Sequence, residues 1–160
     1  MPEIKNKKNI ITIALGADHR GFAHKKIITD YFDVHAQEYR YIDTGTFSLE
    51  RTDYPEYAQL VCNEILSGRA QMGILLCGTG IGMSIAANRF PGIYAGIAWN
   101  DIIARRSKEE DKSNIVIVPS DFVSDSEVIT IISAWLLAQF RGERYQKRIT
   151  MINEFITRKK

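Results

Sequence analysis

The sequence predicts an α/β fold, a three-layer αβα sandwich in which helices cover both faces of a five-stranded parallel sheet and an extra helix follows at the C-terminus. Short apolar runs recur along the chain, and a longer amphipathic segment follows each of them. Continuous apolar runs are typical of parallel strands that are buried on both faces. The last third of the sequence continues with helical spacing, which places the extra helix there.

The first half of the chain contains three strand–helix units. Pro55 stands in the first turn of the second helix, where proline is tolerated, and Gly68 ends that helix. Asp53 is a candidate N-cap for it. We expect strands over residues 9–15, 39–42 and 72–76, and helices over residues 21–32, 55–66 and 81–88.

The second half adds two strands and three helices. Asp101 is expected to cap the helix after the fourth strand, and Ser124 or Ser126 to cap the helix after the fifth. Gly142 separates that helix from the last one. The alternation of strands and helices is that of a Rossmann-like domain. We expect strands over residues 93–99 and 114–118, and helices from residue 101 to about 109, from the serine cap to residue 140, and over 144–157.

We expect one domain over residues 1–160. The sequence shows neither an internal repeat nor a low-complexity linker. Residues 1–8 are basic near their end and are expected to form a flexible tail. The C-terminal helix, over residues 143–160, is a candidate for reaching outside the domain.

The composition is that of an ordinary soluble globular protein. Hydrophobic residues make up 45% of the sequence, charged residues make up 25%, and the formal net charge is +2. That charge is too small to indicate binding to nucleic acid or to a membrane surface. No apolar stretch approaches the roughly 20 residues of a membrane-spanning helix. Cys62 and Cys77 suggest reduced thiols, and the three histidines lack the spacing of a zinc site. We therefore expect a cytoplasmic protein without a metal.

The most informative motif is a cysteine, Cys77, followed closely by three glycines. The motif lies where the third strand gives way to a helix, so unpaired backbone N–H groups are expected around the thiol. Such a position lowers a thiol pKa and favours the thiolate, which serves as a base or nucleophile. Gly78, Gly80 and Gly82 leave the amides open to an anion such as an enediolate. A cysteine that only packs in a Gly-rich turn remains an equal alternative.

Two nucleotide-binding interpretations of these glycines fail on spacing. Met83 stands where a dinucleotide fingerprint needs its third glycine, and the motif follows the third strand instead of the first. Gly73 and Gly78 have the interval of a P-loop, but Thr79-Gly80 stands where its Lys and Ser/Thr belong. We therefore expect no nucleotide cofactor.

Other polar residues could contact a ligand, although their local patterns do not decide it. Asp18 and His19 end the first strand, where a His can donate a hydrogen bond to a phosphate. The favoured alternative is that Asp18 only caps the following helix and that His19 is an exposed loop residue. Arg144 and Arg148 share one helix face and suit a phosphate clamp, although most basic faces are only solvated. Arg51 and Tyr54 stand where a polar loop enters a helix, and either could face a sugar.

Taken together, these segments resemble the type B ribose-5-phosphate isomerases and the related galactose-6-phosphate isomerase subunits. The resemblance covers nearly the whole chain in order, and the run Cys-Gly-Thr-Gly-Ile-Gly with Ala-Asp-His upstream is its most specific part. The matching blocks are residues 16–21, 43–46, 50–55, 73–88, 134–140 and 142–148.

The resemblance implies an aldose–ketose isomerase that interconverts ribose 5-phosphate and ribulose 5-phosphate without a metal or an organic cofactor. Cys77 would be the base that removes the proton from the carbon next to the carbonyl. Thr79 would help to move protons between the two substrate oxygens. The amides of residues 78–82 would hold the enediolate.

The resemblance also implies how the substrate is bound and how the chain assembles. The phosphate would be held by His19, Arg144 and Arg148, and Asp18 and Tyr54 would lie near the sugar. The site would lie between two subunits of a homodimer or homotetramer. The C-terminal helix would then be an interface arm.

The sequence departs from the family pattern at two places. Family members usually carry a His-Asn pair after the fourth helix, and that His is thought to open the sugar ring. Residues 108–114 contain no His. Glu110 or Asp111 could accept the proton that ring opening releases. An arginine expected just after the fifth strand is matched by Asp121, which would repel a phosphate unless its loop turns away. Two alternatives stay open: an isomerase of a six-carbon phosphosugar such as galactose 6-phosphate or allose 6-phosphate, and a non-catalytic phosphosugar-binding subunit.

Overall fold

The computed structural model of the chain describes residues 10–157 and confirms the expected αβα sandwich. Its five parallel strands lie in the order β2-β1-β3-β5-β4. The strands are β1 (Ile11–Ala17), β2 (Tyr39–Asp43), β3 (Met72–Cys77), β4 (Ala95–Ile97) and β5 (Ile115–Pro119). The helices are α1 (Phe22–Val34), α2 (Tyr54–Leu66), α3 (Ile81–Ala87), α4 (Asp101–Asp111), α5 (Asp125–Leu137) and α6 (Glu143–Thr157).

A separate hydrophobic core lies on each face of the sheet. On one face, α1 and α5 pack against alternate residues of the strands, with Phe32 and Trp135 as the largest buried side chains. Trp135 keeps its indole N–H paired there, because Nε1 donates to the Ser113 hydroxyl at 2.8 Å. On the other face, α2 and α3 cover the intervening residues and enclose Cys62 and Met83. The strands are therefore buried on both sides, as their continuous apolar runs predict.

Several element boundaries differ from the sequence predictions. The fourth strand spans only Ala95–Ile97; at its start the Asn114 side chain accepts from Tyr94 N, and the Asn88 side chain hydrogen-bonds the backbone N–H and C=O of Ala95. The fifth helix ends at Leu137 and not at residue 140, since Ala138 is extended.

The helix caps are also partly corrected. Asn100, and not Asp101, caps α4: its backbone is extended, and its side chain accepts from Ile103 N at 2.9 Å. Ser124 is the N-cap of α5, where its backbone N–H donates to the Glu127 carboxylate at 2.9 Å. Asp53 occupies the N-cap position of α2 without a capping hydrogen bond from its side chain. The expected tail over residues 1–8 lies outside the described residues, as do residues 158–160.

The strand order creates a crevice at the carboxyl edge of the sheet. After β1 the chain passes to β2 on one side, and after β3 it passes to β4 and β5 on the other. The helices that follow β1 and β3 cover opposite faces. Such a switch point opens a crevice for a ligand between the two strand ends. The residues that follow these two ends are Asp18 and Gly78.

Candidate active site

Cys77 lies at the carboxyl end of β3, at the base of a glycine-rich loop that leads into α3. Its residue is 4% exposed, so the sulfur is accessible only through the loop. The backbone N–H groups of Gly80 and Met83 lie near this sulfur and lower the pKa of the thiol. Gly80 adopts a left-handed conformation with φ of 77°, which a residue with a side chain rarely takes up. The loop therefore brings two backbone N–H groups to the thiol, whereas Gly78 and Gly82, which the motif was expected to leave open to an anion, are covered by Arg20 and by the Tyr54 ring.

The direction of the Cys77 pKa shift corrects the sequence prediction. Burial raises the pKa of this thiol, Asp18 raises it further, and the two backbone N–H groups and Arg20 act in the opposite direction without reversing the shift. The thiol is removed from water by the packing of the loop on the sheet, which a local motif does not reveal. Burial also raises the pKa of the other thiol, Cys62, to about 11. Of the two thiols, Cys77 is the one whose pKa is lowered in part by backbone N–H groups.

Thr79 lies exposed on the same loop, two residues after Cys77. Its hydroxyl oxygen accepts from Ile81 N at 3.3 Å, at the start of α3. An open cavity of about 400 Å³ lies beside it, and its lining is mostly apolar. The lining residues are Thr79, Ile81, Ile97, Trp99, Pro119 and Phe122.

Asp18 and His19 come next to this loop because Asp18 N donates to Leu76 O at 3.1 Å. The Asp18 carboxylate is buried and accepts from the backbone N–H groups of Arg20 and Gly21, at 2.9 and 3.2 Å, so it holds the turn into α1. His19 is half-buried, and its Nδ1 accepts from Thr52 N at 3.3 Å. A neutral His19 in this arrangement carries its proton on Nε2, which is left as a donor for a ligand.

Tyr54 reaches the opposite side of the loop from the first turn of α2. A Cβ built on Gly82 would lie 2.5 Å from Cζ of the Tyr54 ring, so the ring rests directly on the glycine. The close approach needs a residue without a side chain at position 82. The family resemblance places Tyr54 near the sugar, and the structure brings its ring to the first turn of α3.

Arg20 and Asp121 also lie against the glycine-rich loop. No pattern in the sequence placed Arg20 in the site. The Arg20 guanidinium pairs with the Asp121 carboxylate and lies against Gly78. Asp121 N donates to Gly78 O at 3.0 Å. The sequence does show a positive charge next to Asp18-His19. It does not show the partner of that charge, Asp121, which lies 101 residues further along the chain.

Arg144 and Arg148 do not reach Cys77 within one chain. Both lie on α6 around the ring of Tyr145, with Cζ atoms 4.9 and 5.6 Å from its centroid. The preceding Arg141 donates its backbone N–H to Glu109 O, which fixes the start of α6 beside the end of α4. Since α4 ends at the amino edge of the sheet, just before β5, these arginines lie at the end of the molecule away from the Cys77 loop.

Glu110 and Asp111, which we expected as replacements for a ring-opening His, lie at that same end. Desolvation and the neighbouring Glu110 raise the pKa of the Asp111 carboxyl, and Arg148 acts against them. One exposed surface of the chain therefore carries two carboxylates together with the α6 arginines. Beyond it, Tyr94 donates its hydroxyl to Asn153 at 2.6 Å and holds α6 over a cavity of about 440 Å³.

Among the described helices, none has the length and apolar character that a membrane crossing requires. Over residues 10–157, His, Cys, Asp and Glu side chains form no group of three or more that could hold a metal ion.

Comparison with known proteins gives consistent matches over nearly the whole chain. The sequence profile of the family described as Ribose/Galactose Isomerase matches residues 13–152. Ribose-5-phosphate isomerase B of Escherichia coli (strain K12) is 41% identical over 140 residues, which are 88% of this chain and 93% of that protein. Among solved structures, the ribose-5-phosphate isomerase B of Clostridium thermocellum superposes with a TM-score of 0.90 at 36% identity and covers 94% of this chain and 100% of its own.

A second solved structure contains a ligand. The ribose-5-phosphate isomerase B of Mycoplasma genitalium, with bound ribulose-5-phosphate, superposes with a TM-score of 0.86 at 33% identity. The match covers 92% of this chain and 97% of that one. Fold, sequence and family profile therefore agree over the segments that form the Cys77 crevice.

Proposed function

Because the chain belongs to the ribose/galactose isomerase family, we propose that it interconverts ribose 5-phosphate and ribulose 5-phosphate, with Cys77 as the base that moves the proton. Membership of this family makes the chain an isomerase of sugar phosphates. The observation that supports Cys77 as the base is the position of its thiol. The thiol lies at a strand end, with the backbone N–H groups of Gly80 and Met83 near its sulfur.

The proposed reaction begins with the open-chain aldose. The Cys77 thiolate removes the proton from C2, and the electron pair of that C–H bond forms the C1=C2 double bond of an enediolate. The carbonyl oxygen on C1 takes up the negative charge. The Thr79 hydroxyl moves a proton from the oxygen on C2 to the oxygen on C1, and the Cys77 thiol then returns a proton to C1. The products are the ketose and the regenerated thiolate.

The glycine loop supports this reaction by stabilising the charge that develops. Backbone N–H groups in a site closed to water stabilise an oxyanion without reorganising during the reaction. Gly78 and Gly82 allow close contacts, since Arg20 lies against the first and the Tyr54 ring against the second. We propose that those amides of residues 78–82 that do not point at the Cys77 sulfur hold the enediolate. Tyr54 and Asp18 are proposed to position the sugar.

The phosphate and ring-opening groups are proposed to come partly from a second copy of the chain. His19 lies beside the Cys77 loop, but Arg144 and Arg148 lie at the other end of the same molecule. Exposed apolar side chains border the crevice, including Trp99 and Phe122, which are 53% and 71% exposed. A second copy that covers this border with its α6 end would complete the phosphate site. Such an arrangement makes α6 an interface arm.

The same arrangement brings a carboxylate to the substrate. Glu110 and Asp111 lie on the α6 end beside Arg148, so they would enter the site with the arginines. Ring opening needs a group that accepts the proton of the anomeric hydroxyl and a donor for the ring oxygen. Asp111 is the carboxylate that we propose for this exchange, because desolvation raises its pKa and so makes its carboxyl a better proton acceptor than an ordinary one.

We predict that iodoacetamide labels Cys77 increasingly fast with rising pH and without a plateau below pH 9. Only the thiolate reacts, and the pKa of this thiol lies above its ordinary value, so each pH unit below it changes the rate by about tenfold. Peptide mass spectrometry would measure the rate in substrate-free protein. Cys62 should react more slowly at every pH, since it is fully buried with a pKa of about 11. A Cys77 rate that levels off below pH 8 would contradict the raised pKa.

We predict a preference for the five-carbon phosphosugar, with kcat/KM for ribose 5-phosphate at least about tenfold above that for galactose 6-phosphate or allose 6-phosphate. One more carbon lengthens the path from phosphate to C1 by about 1.5 Å, and fixed binding and catalytic groups cannot both follow such a displacement. Steady-state assays with all three sugars measure this ratio. Faster turnover of a six-carbon sugar would contradict the proposed substrate, and no turnover of any of them would favour a non-catalytic phosphosugar-binding subunit.

A further inference from the structure

We propose that Arg20 is an anion-binding residue of the Cys77 site and that Asp121 positions it. The proposal rests on the function proposed above in taking the anion to be the phosphate of a sugar. It assigns a role to two residues that the catalytic scheme does not use. It also accounts for the acidic residue that stands just after β5.

Arg20 is held on the glycine loop by contacts on two sides. A Cβ built on Gly78 would lie 2.5 Å from Nε and 2.6 Å from Nη1 of Arg20, so the guanidinium plane covers this glycine directly. The backbone of Arg20 is fixed as well, because its N–H donates to the buried Asp18 carboxylate at 2.9 Å. The side chain therefore projects from one edge of the crevice, next to His19, to the loop that carries Cys77.

Asp121 approaches the same glycine from the opposite direction. It lies in the short 3-10 turn Ser120–Phe122 that follows β5, and its backbone N–H donates to Gly78 O at 3.0 Å. Its carboxylate pairs with the Arg20 guanidinium. A carboxylate anchored through its own backbone fixes the place of the guanidinium that it binds.

The pair leaves donors available for a second anion. A guanidinium has five N–H donors, and one carboxylate engages at most two of them. The Arg20 side chain is 51% exposed and that of Asp121 is 31% exposed, so the pair lies at the mouth of the site and not in the core. Arg20 also acts on the Cys77 thiol as a positive charge, which places it within electrostatic range of the reacting atoms.

This arrangement explains how an acidic residue can border a phosphate site. An unpaired Asp121 would repel the phosphate, but the paired carboxylate has its charge balanced by Arg20. Since Arg144 and Arg148 lie at the other end of the chain, Arg20 is the arginine whose described contacts place it on the Cys77 loop. The chain thus supplies a guanidinium from the β1 side of the crevice, and the β5 side supplies the residue that orients it.

A double-mutant cycle in the full-length protein tests the proposal, with inorganic phosphate as the probe in isothermal titration calorimetry. Arg20→Gln should weaken phosphate binding about 10- to 100-fold, and Arg20→Lys should lose less, because it keeps the charge. KM for ribose 5-phosphate should rise in parallel, with kcat changed less than about threefold. The exposed Arg40, on β2, offers Arg40→Gln as a matched control that should leave both constants unchanged.

The sign of the Asp121→Ala effect separates positioning from simple repulsion. With Arg20 present, Asp121→Ala should weaken phosphate binding about threefold or more, although it removes a negative charge. In the Arg20→Gln background the same change should strengthen binding, since only repulsion is then removed. Tighter binding in both backgrounds would overturn the positioning role of Asp121.

Unchanged phosphate affinity and KM in folded Arg20→Gln and Arg20→Lys, with ribose 5-phosphate still turned over, would overturn the role of Arg20 alone. Phosphate affinity that depends on Arg20 in a protein without turnover of ribose 5-phosphate would support the binding role and remove the proposed reaction. Circular dichroism of each variant establishes that it is folded.

Discussion

Replacing Cys77 with serine should lower kcat for ribose 5-phosphate by about a thousandfold or more, with KM changed little. A serine hydroxyl is much less acidic than a thiol, and in this buried position it cannot supply an anion to remove the C2 proton. The side chains have similar size, so the loop and the backbone N–H groups of Gly80 and Met83 should remain in place. Steady-state formation of ribulose 5-phosphate measures the effect.

The second thiol of the chain provides a matched control. Cys62 lies fully buried between α2 and α3, and its Sγ contacts Ala87 O at 3.9 Å. Cys62→Ala should cost about 1 kcal/mol of stability through the small cavity it leaves, while kcat stays within about twofold of the unmodified protein. A Cys77→Ser protein that keeps more than a tenth of the activity would rule out Cys77 as the base.

Combining two inactive variants in one oligomer should restore activity. Arg148→Ala alone and Cys77→Ala alone should each lose about a hundredfold or more, the first through phosphate binding and the second through proton transfer. If each site takes Cys77 from one chain and Arg148 from the other, a hetero-dimer of the two variants contains one intact site. Its kcat per dimer should then reach about half that of the unmodified protein.

The experiment uses two affinity tags, so that only hetero-oligomers from co-expressed chains are assayed. The homo-oligomers of each variant, purified in the same way, are the controls. If Cys77 and Arg148 of one chain served the same site, every site in the hetero-oligomer would lack one of them. Activity no higher than in the two homo-oligomers would therefore contradict a site shared between copies.

The sheet and the position of the Cys77 loop were predictable because they follow from local patterns. Apolar runs buried on both faces place all five strands within two residues of their observed bounds, although β4 is shorter than predicted by two residues at each end. At this edge strand, Asn88 and Asn114 hydrogen-bond the backbone of residues 94 and 95. Apolar content does not show these side-chain contacts, and the predicted strand over residues 93–99 is longer than the observed one.

The electrostatics of the site could not be predicted, because they depend on contacts between distant segments. A thiol at a strand end beside backbone N–H groups is expected to be acidic, yet the pKa of Cys77 is raised by burial that the whole α2–α3 face creates. The Arg20–Asp121 pair joins the segments that follow β1 and β5. No periodic pattern in the sequence indicates such a pair. Helical spacing showed that Arg144 and Arg148 share a face, but it could not show that this face lies away from Cys77.

Incubating the purified protein with ribose 5-phosphate in D₂O, and following both sugars by NMR, tests most directly whether the chain transfers a proton through an enediolate. We predict that ribulose 5-phosphate forms with deuterium at C1 and that recovered ribose 5-phosphate gains deuterium at C2, because a thiol proton exchanges with solvent during repeated turnover. The Cys77→Ser protein should show neither change. Ribulose 5-phosphate that forms without deuterium in either sugar, even after many turnovers, would contradict proton transfer through a thiol that exchanges with solvent, and a folded, oligomeric protein that forms none would refute the proposed reaction.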